Sequence, residues 1–378
     1  MHRSSGNLPK VLSVLDVGDG ACSVLRHGER VAIIDCGSND LGADVACDRL
    51  LAALGGRPDV ITTIVVTHFD TDHYAGFMRL ADRMATRGIR FTELHLVAPR
   101  PPEEPKYVAQ YLALAMTVTG IRNLDLATAL KNVTDEDRFF YLPVSRDLYP
   151  EFLAAGLRFT VRWPPVELPR RVANEVDTAM RLYGALARNL RAIENYALDN
   201  NLKRARYGDW PLLHPYDAEE ASEEAESQRQ RANAVDLDFE EDEAISAFPE
   251  IEALDLPEEL KEQFKVAWDA FRRANNNMSI VFDDREHRNL AAFGDAGKSV
   301  LRWLAGHGGL ASRYHVMLAP HHGTQCLPEN FAVRAKLCVS QNGSRRGDLW
   351  PRHVETHHNS SSCTTTRFGS HHIYLWDD

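Results

Sequence analysis

The chain has 378 residues, 44% of them hydrophobic, and a formal net charge of −11. That is ample apolar material for a large core. No apolar run approaches a membrane span and the first residues lack a signal-peptide apolar core, so a cytoplasmic protein with no membrane partner is expected. The charge argues against a nucleic-acid partner only until it is located. Residues 217–259 hold 17 Asp and Glu against two Arg, a local −15 that leaves +4 for everything else. The acidity belongs to one segment, not to the body.

Residues 1–9 read as a loose tail. Residues 10–17 alternate as a strand, Gly18-Asp19-Gly20 turns the chain, and 21–26 and 30–35 read as a hairpin. Residues 41–54 form a helix closed by Gly55-Gly56 and Pro58. The β-branched run 62–66 reads as a buried strand, and 76–87 as a helix. A strand over 93–98 carries His95 inside it, where packing is the simpler role. A helix over 106–116 and a strand over 157–163 follow. The segment 166–275 follows. Its first part has helical spacing from Val176 through Leu186 and Leu190 to Ala197, with Arg181, Arg188 and Arg191 on one face. That stripe is either a solvated face or a set of phosphate contacts. Residues 217–243 offer little to bury and read as a disordered connector. Residues 257–271 form a second amphipathic helix, with Pro257 in its first turn. Strands are expected at 276–281, 289–293, 315–318 and 338–342, a helix at 298–304, and closing strands over 364–376. The six cysteines, Cys22, Cys36, Cys47, Cys326, Cys338 and Cys363, form no CxxC pair and read as free thiols. His357, His358, His371 and His372 are paired histidines suited to surface or strand positions.

The stretch that carries chemistry is Thr67-His68-Phe69-Asp70-Thr71-Asp72-His73. It places four potential metal ligands within six positions at the end of a strand. Two nearby carboxylates repel unless a cation sits between them, and mixed imidazole and oxygen donors suit zinc or manganese. The competing reading is a polar loop with an Asp helix cap.

This His-x-Asp-x-Asp-His pattern resembles the metal loop of the metallo-β-lactamase superfamily. The Asp at position 70 resembles the soluble hydrolase domain of ComEC-type DNA-internalisation proteins. Four further segments resemble that domain in the same order: Leu15-Asp16-Val17-Gly18-Asp19-Gly20, Ile33-Ile34-Asp35-Cys36-Gly37, Gly294-Asp295 and Pro320-His321-His322-Gly323-Thr324. The resemblance covers residues 10–165 and 276–378, and sets 166–275 apart as a helical, acidic insertion. It departs at Leu349-Trp350, where the family has His before the position of Pro351.

The resemblance implies an α/β fold, a four-layer αββα sandwich with metals at one edge of two facing sheets. It implies one or two divalent ions, zinc or manganese, held by His68, Asp70, Asp72, His73, Asp295 and His322. Asp35 would orient the histidines from behind. Asp70, Asp72 and His321 are the expected catalytic residues, and Asn276, Ser279 and Thr324 the expected substrate contacts. The expected activity is phosphodiester hydrolysis, with DNA as substrate, by a metal-activated hydroxide. Hydrolysis of a small ester, lactone or nucleotide is an alternative. A metal-binding scaffold that docks a partner protein through 166–275 is another.

Overall fold

The structure is a computed structural model that describes residues 9–119, 125–190, 251, 254, 256–284, 286–307, 309–343 and 360–375. Most of the tail, Arg191, Ile193 and Ala197 of the first insertion helix, the acidic 217–243, Leu349-Trp350-Pro351, His357 and His358 lie outside the described residues. The chain divides into two compact units. One comprises Met1–Glu104, Leu124–Val172 and Arg272–Asp378; the other comprises Pro105–Asn123 and Ala173–Phe271.

The first unit starts with an antiparallel meander, β1 (Lys10–Val14), β2 (Cys22–His27) and β3 (Arg30–Cys36). Helix α1 (Gly42–Ala53) leads to β4 (Ile61–Val65), which pairs parallel with β3. Helix α2 (Thr71–Arg87) leads to β5 (Leu94–Pro99), parallel to β4. The βαβ crossovers explain the parallel pairing, because a strand that returns through a helix re-enters in the same direction. β3 is buried at six of its seven positions. Ala32 and Ile34 face the core between the sheets, while the α2 side covers the other face. A strand covered on both sides is continuously apolar, as Val31-Ala32-Ile33-Ile34 is.

Helix α3 (Glu104–Thr119) carries the chain into the second unit, and α4 (Leu126–Asn132) begins the return. Three elements between residues 117 and 156 escape the sequence reading: α4, β6 (Phe139–Val144) and β7 (Glu151–Ala154). β6 exists by pairing with β5, and β7 by pairing with β8 (Leu157–Trp163). The β7–β8 hairpin turns through Ala155 and Gly156, both at positive φ. That is the backbone a two-residue hairpin needs, but without the usual Asn-Gly signature.

Helices α5 (Arg170–Leu190) and α6 (Glu258–Asn277) lie largely in the second unit. Tyr111 of α3 stacks on Trp268 of α6 with ring centroids 5.6 Å apart, and Tyr183 of α5 meets Phe271 edge-on. Arg181 and Arg188 are exposed on α5. Helix α6 runs to Asn277, so the strand expected from 276 begins only at β9 (Val281–Asp283). The reason is continuous apolar spacing: Phe264, Trp268, Phe271, Ala274 and Met278 are all buried, which outweighs the modest helix propensity of three Asn.

The first unit closes with β10 (Leu290–Ala292), α7 (Lys298–His307), β11 (Arg313–Leu318), β12 (Arg334–Ser340), β13 (Ser362–Thr365) and β14 (His371–Leu375). Among the described residues the strands form two seven-stranded sheets, ordered β14-β1-β2-β3-β4-β5-β6 and β13-β12-β11-β10-β9-β8-β7. Apolar residues from both sheets make one core, with Phe152, Phe159 and Phe282 clustered at centroid distances of 5.2–5.6 Å. Trp303 of α7 packs against Trp163 of β8 on the outer side of the second sheet. The result is the αββα layering expected from the sequence. Each sheet has an antiparallel half and a parallel half. The parallel strands β3, β4 and β5 in one sheet and β10, β11 and β12 in the other deliver their loops from their carboxyl ends. The cysteines are free, with Cys22 paired against Cys36 across β2–β3. His371 and His372 occupy strand β14.

Candidate metal centre

Asp35 is the penultimate residue of β3, at φ 55°. His68 follows β4, and Asp70 is the cap residue of α2, so Asp72 and His73 fall in that helix's first turn. The helix thus starts five residues before the expected 76. Both sequence readings of Asp70 meet here. It occupies the cap position with extended backbone (φ −89°, ψ 147°), but its side chain makes no capping hydrogen bond.

The network behind the histidines fixes their protonation. Thr67 donates to Asp35 twice, from its backbone N at 2.8 Å and from Oγ1 at 2.7 Å. With its one hydroxyl proton committed, Thr67 Oγ1 can only accept from His68 Nδ1 at 3.2 Å. His73 Nδ1 donates to Asp35 Oδ2 at 2.9 Å, and His322 Nδ1 donates to the backbone carbonyl of Gln341 at 2.8 Å. A carboxylate and a carbonyl only accept, so both Nδ1 atoms carry hydrogen. In the neutral tautomer all three Nε2 atoms are therefore bare lone pairs.

Those lone pairs converge. His73 Nε2 and His322 Nε2 are 3.1 Å apart, and the His68 and His73 rings have centroids 4.0 Å apart. His73 Nε2 lies 3.2 Å from Asp295 Oδ1, and His322 Nε2 lies 3.4 Å from both Asp295 Oδ2 and Asp72 Oδ2. His68 Nε2 is 3.8 Å from Asp70 Oδ2 and 3.9 Å from Asp295 Oδ2, and among the described residues it has no hydrogen-bond partner. A buried nitrogen left unsatisfied costs about 1–3 kcal/mol. Facing lone pairs and several buried carboxylates add repulsion to that. A cation at the convergence removes all of these penalties together, which no rotamer change does. Below the ligands lies a cavity of about 10 Å³ bordered by Asp35, Thr67, His73, Asp295, His322 and Gln341, room for about one water.

Titration behaviour follows the same demand for positive charge. Burial alone would lower the His73 pKa, but the Asp295 and Asp35 carboxylates outweigh it and raise the imidazole well above its ordinary value. Burial alone would raise Asp295, but His322, His73 and His321 hold it well below the carboxylate range. Asp70 is also lowered. Burial opposes the shift, while the nearby His68 imidazole and the Arg272 charge drive it.

Two ligand groups emerge: His68, His73 and Asp295, and Asp72, His73 and His322, with all members buried and the donor atoms of each group within 4.8 Å of one another. His73 belongs to both. Asp70, expected beside His68 in the first group, lies at its edge. His321 is partly exposed, 3.5 Å from Asp295 Oδ2. His95, in β5, pairs with Glu93 and stacks on Phe140, and belongs to neither ligand group.

The segment that supplies His322 is conformationally costly. His321, His322 and Gly323 all have positive φ, at 49°, 56° and 83°. Non-glycine residues there cost of order 1–3 kcal/mol each and persist only where surroundings hold them. The holding bonds are present. His321 N donates to Gly294 O at 2.8 Å, and Asn342 Nδ2 donates to His322 O at 3.1 Å. Thr324 donates to His321 O from its hydroxyl at 2.7 Å and from its backbone N at 2.8 Å. Thr324, expected on the substrate, is buried beneath this turn instead. Ser279 is likewise fully buried; its Oγ accepts from Asp295 N at 3.0 Å and fixes that loop. Both hydroxyls serve the backbone because each lies at the base of a ligand-bearing turn that needs its polar groups satisfied. Asn276, near the end of α6, remains partly exposed. The sequence reading missed Thr67, Gln341 and Asn342. A Thr directly preceding a ligand His was a visible signal, but the reach of Gln341 and Asn342 to His322 depends on β12 lying beside β11.

Two facing sheets with helices outside, and an imidazole–carboxylate cluster at their shared edge, define the metallo-β-lactamase fold. Residues 15–169 match the family model for the metallo-beta-lactamase superfamily. The matched segment includes Asp35 and His68–His73 and ends before Asp295 and His322. No curated protein sequence matches the chain. Among solved structures, it is similar to the metallo-beta-lactamase fold protein YhfI from Bacillus subtilis, with 12% identity over 40% of this chain and 52% of that one, at a TM-score of 0.27. It is also similar to BJP-1, a subclass B3 metallo-beta-lactamase of Bradyrhizobium japonicum, with 18% identity over 39% of this chain and 47% of that one, at a TM-score of 0.25. The chain spans about half the length of these two proteins. A metallo-beta-lactamase from Cronobacter sakazakii is matched over 59% of this chain and 96% of its own, at 14% identity and a TM-score of 0.26. No helix among the described residues is long and apolar enough to cross a membrane.

Proposed function

We propose that the protein is a metal-dependent phosphodiesterase that acts on DNA. The observation that carries the hydrolase reading is the convergence of three lone-pair Nε2 atoms and the Asp295 carboxylate at one buried point. The donor set fits zinc or manganese. His68, His73 and Asp295 would hold one ion, and Asp72, His73 and His322 a second or an alternative position for the same one. A divalent ion there supplies Lewis acidity and acidifies a bound water near neutral pH.

The protein's own groups do the rest. Asp35 and Thr67 lock two imidazoles with Nε2 forward, which removes the reorganisation that free histidines would need. Burial of the cluster strengthens its electrostatics toward a reacting phosphoryl group. His321, at the rim with its Nε2 toward Asp295, is placed to hold a proton for the departing oxygen. Asp70, lowered in pKa and at the edge of the cluster, is the second group placed for proton handling. The order of the Asp35, His68–His73, Asp295 and His321-His322 motifs, similar to that of ComEC-type hydrolase domains, supports DNA as the phosphodiester.

The test is cleavage of end-labelled single- and double-stranded DNA with manganese or zinc, comparing wild type with Asp72→Asn and Asp295→Ala. The expected result is metal-dependent cleavage abolished in both variants. A folded, metal-loaded wild type that cleaves neither DNA would overturn the reading.

A further inference from the structure

Cys338 of β12 and Cys363 of β13 stand directly opposite each other in the parallel β12–β13 pair. Leu337 and Val339 turn inward to the core between the sheets, so the two thiols share the outer face. A side-chain hydrogen bond joins them. Strand spacing sets their Cα atoms about 4.8 Å apart, inside the window of about 4.4–6.8 Å that a disulfide spans. The pair is asymmetric. Cys338 is fully buried, whereas Cys363 is partly exposed on β13, the edge strand of its sheet among the described residues. The hydrogen bond from Cys338 holds the Cys363 thiol below its ordinary pKa against the effect of burial, and the same contact pushes Cys338 well up. One sulfur is thus reachable and inclined to ionise, and the other lies behind it with its proton. Cys22 and Cys36 also face each other, across β2–β3, but both are fully buried, so that pair lacks a reachable member.

The two strands lead directly to the turn that presents His322. Three residues beyond Cys338, the Gln341 carbonyl accepts from His322 Nδ1 at 2.8 Å, and next to it Asn342 Nδ2 donates to the His322 carbonyl. Two residues beyond Cys363, the Thr365 hydroxyl donates to Asn342 Oδ1. A disulfide needs Cβ atoms about 3.8 Å apart, closer than strand spacing leaves them. Closing it draws β12 and β13 together just before these bonds.

We propose that Cys363 and Cys338 are a hydroperoxide-sensitive dithiol whose disulfide displaces the His322 turn and weakens metal binding. Cys363 attacks one peroxide oxygen. An S–O bond forms, the O–O bond breaks, and the departing oxygen leaves as water or an alcohol with the Cys363 proton. Cys338 then attacks the Cys363 sulfenic sulfur. The S–S bond forms, the S–O bond breaks, and hydroxide leaves as water with the Cys338 proton. The two sulfurs lose the two electrons that the O–O bond takes up. The effect on metal rests on the metal-centre reading; the formation of the disulfide does not.

The experiment treats the full chain, beside Cys338→Ser and Cys363→Ser, with hydrogen peroxide, then quenches with an alkylating reagent and maps the peptides by mass. Wild type is expected to yield a Cys338–Cys363 linked peptide that a phosphine reductant removes, with Cys22 and Cys36 still alkylated. Cys338→Ser is expected to stop at a Cys363 sulfenic acid, trapped by a carbon nucleophile such as dimedone. Absence of the linked peptide, or a Cys22–Cys36 link in its place, overturns the proposal. Zinc affinity is read by competition with a chelating dye once the peroxide is removed. Disturbing the groups that hold a ligand histidine weakens metal binding about 10- to 100-fold. That loss is expected in oxidised wild type, reversed by the phosphine, and absent in peroxide-treated Cys363→Ser. Equal zinc affinity in the linked and reduced forms ends the coupling to His322. If neither form binds zinc, the metal-centre reading fails and the coupling with it, while the linked peptide still decides the dithiol.

Discussion

Asp35 lies one residue from the end of a strand whose other residues, Arg30 apart, are buried, and three separate bonds from Thr67 and His73 converge on its carboxylate. Replacing it with Asn keeps the shape and the left-handed backbone, which Asn tolerates. It removes the charge that orients His73. Asp35→Asn is expected to retain the fold and to lose metal affinity by about 10- to 100-fold, read by competition with a chelating dye. Gly323 is constrained in the opposite way, by space. A Cβ there would sit 2.0 Å from Ser340 Oγ, on a backbone at φ 83°. Gly323→Ala is expected to cost at least about 1–3 kcal/mol, seen as a lower denaturant midpoint, because both the clash and the strain must be relieved by moving the His322 turn.

Elements carry their own electrostatic consequences. Glu104, in the first turn of α3, is 5% exposed and accepts a hydrogen bond from Tyr141 of β6 at 2.8 Å. Burial raises its pKa to about 7, against the smaller opposing effects of Tyr141 and Arg100. In the unfolded chain it ionises near 4.5. Between those values the folded state holds a proton that the unfolded state has released, so stability falls as pH rises from about 4.5 to about 7, by roughly 3 kcal/mol. Glu104→Gln removes this slope. Its urea midpoint is expected to decline less than that of wild type between pH 5 and pH 8, and equal slopes would show that Glu104 ionises normally. On α5, Arg181 and Arg188 are exposed. If they meet phosphates, Arg181→Ala with Arg188→Ala flattens the salt dependence of DNA binding by nearly two in log–log slope; an unchanged slope makes them a solvated face.

For the molecule as a whole, a metal bound by the cluster would be a stability term. The convergence of bare nitrogens and carboxylates destabilises the metal-free fold locally, and ligation by the native state alone raises unfolding free energy with metal concentration. Zinc or manganese at about 100 times its dissociation constant is expected to add roughly 2.7 kcal/mol, with a matching rise in Tm that a chelator reverses. The same titration on Asp295→Ala should show a much smaller rise. A Tm indifferent to metal in wild type would mean that the lone pairs are satisfied by protons instead.

The residues that this site is built from were legible in the linear chain wherever their chemistry is local. His68, Asp70, Asp72 and His73 stand out because four ligands within six positions have no packing explanation, and helix and strand periods placed that loop at a strand's end. What the chain could not reveal depends on neighbours far along it. β6 and β7 are strands because β5 and β8 pair with them, and α6 outlasts its expected end because its apolar face continues into a core. Ser279 and Thr324 looked like substrate contacts, but tertiary packing turned their hydroxyls to the backbone under two ligand-bearing loops. Asp70 and Arg272 are 202 positions apart, and only the fold sets a guanidinium beside that carboxylate. Local spacing determines which ligands exist; long-range pairing, set by burial of both sheets' inner faces, decides which of them meet and what charge surrounds them.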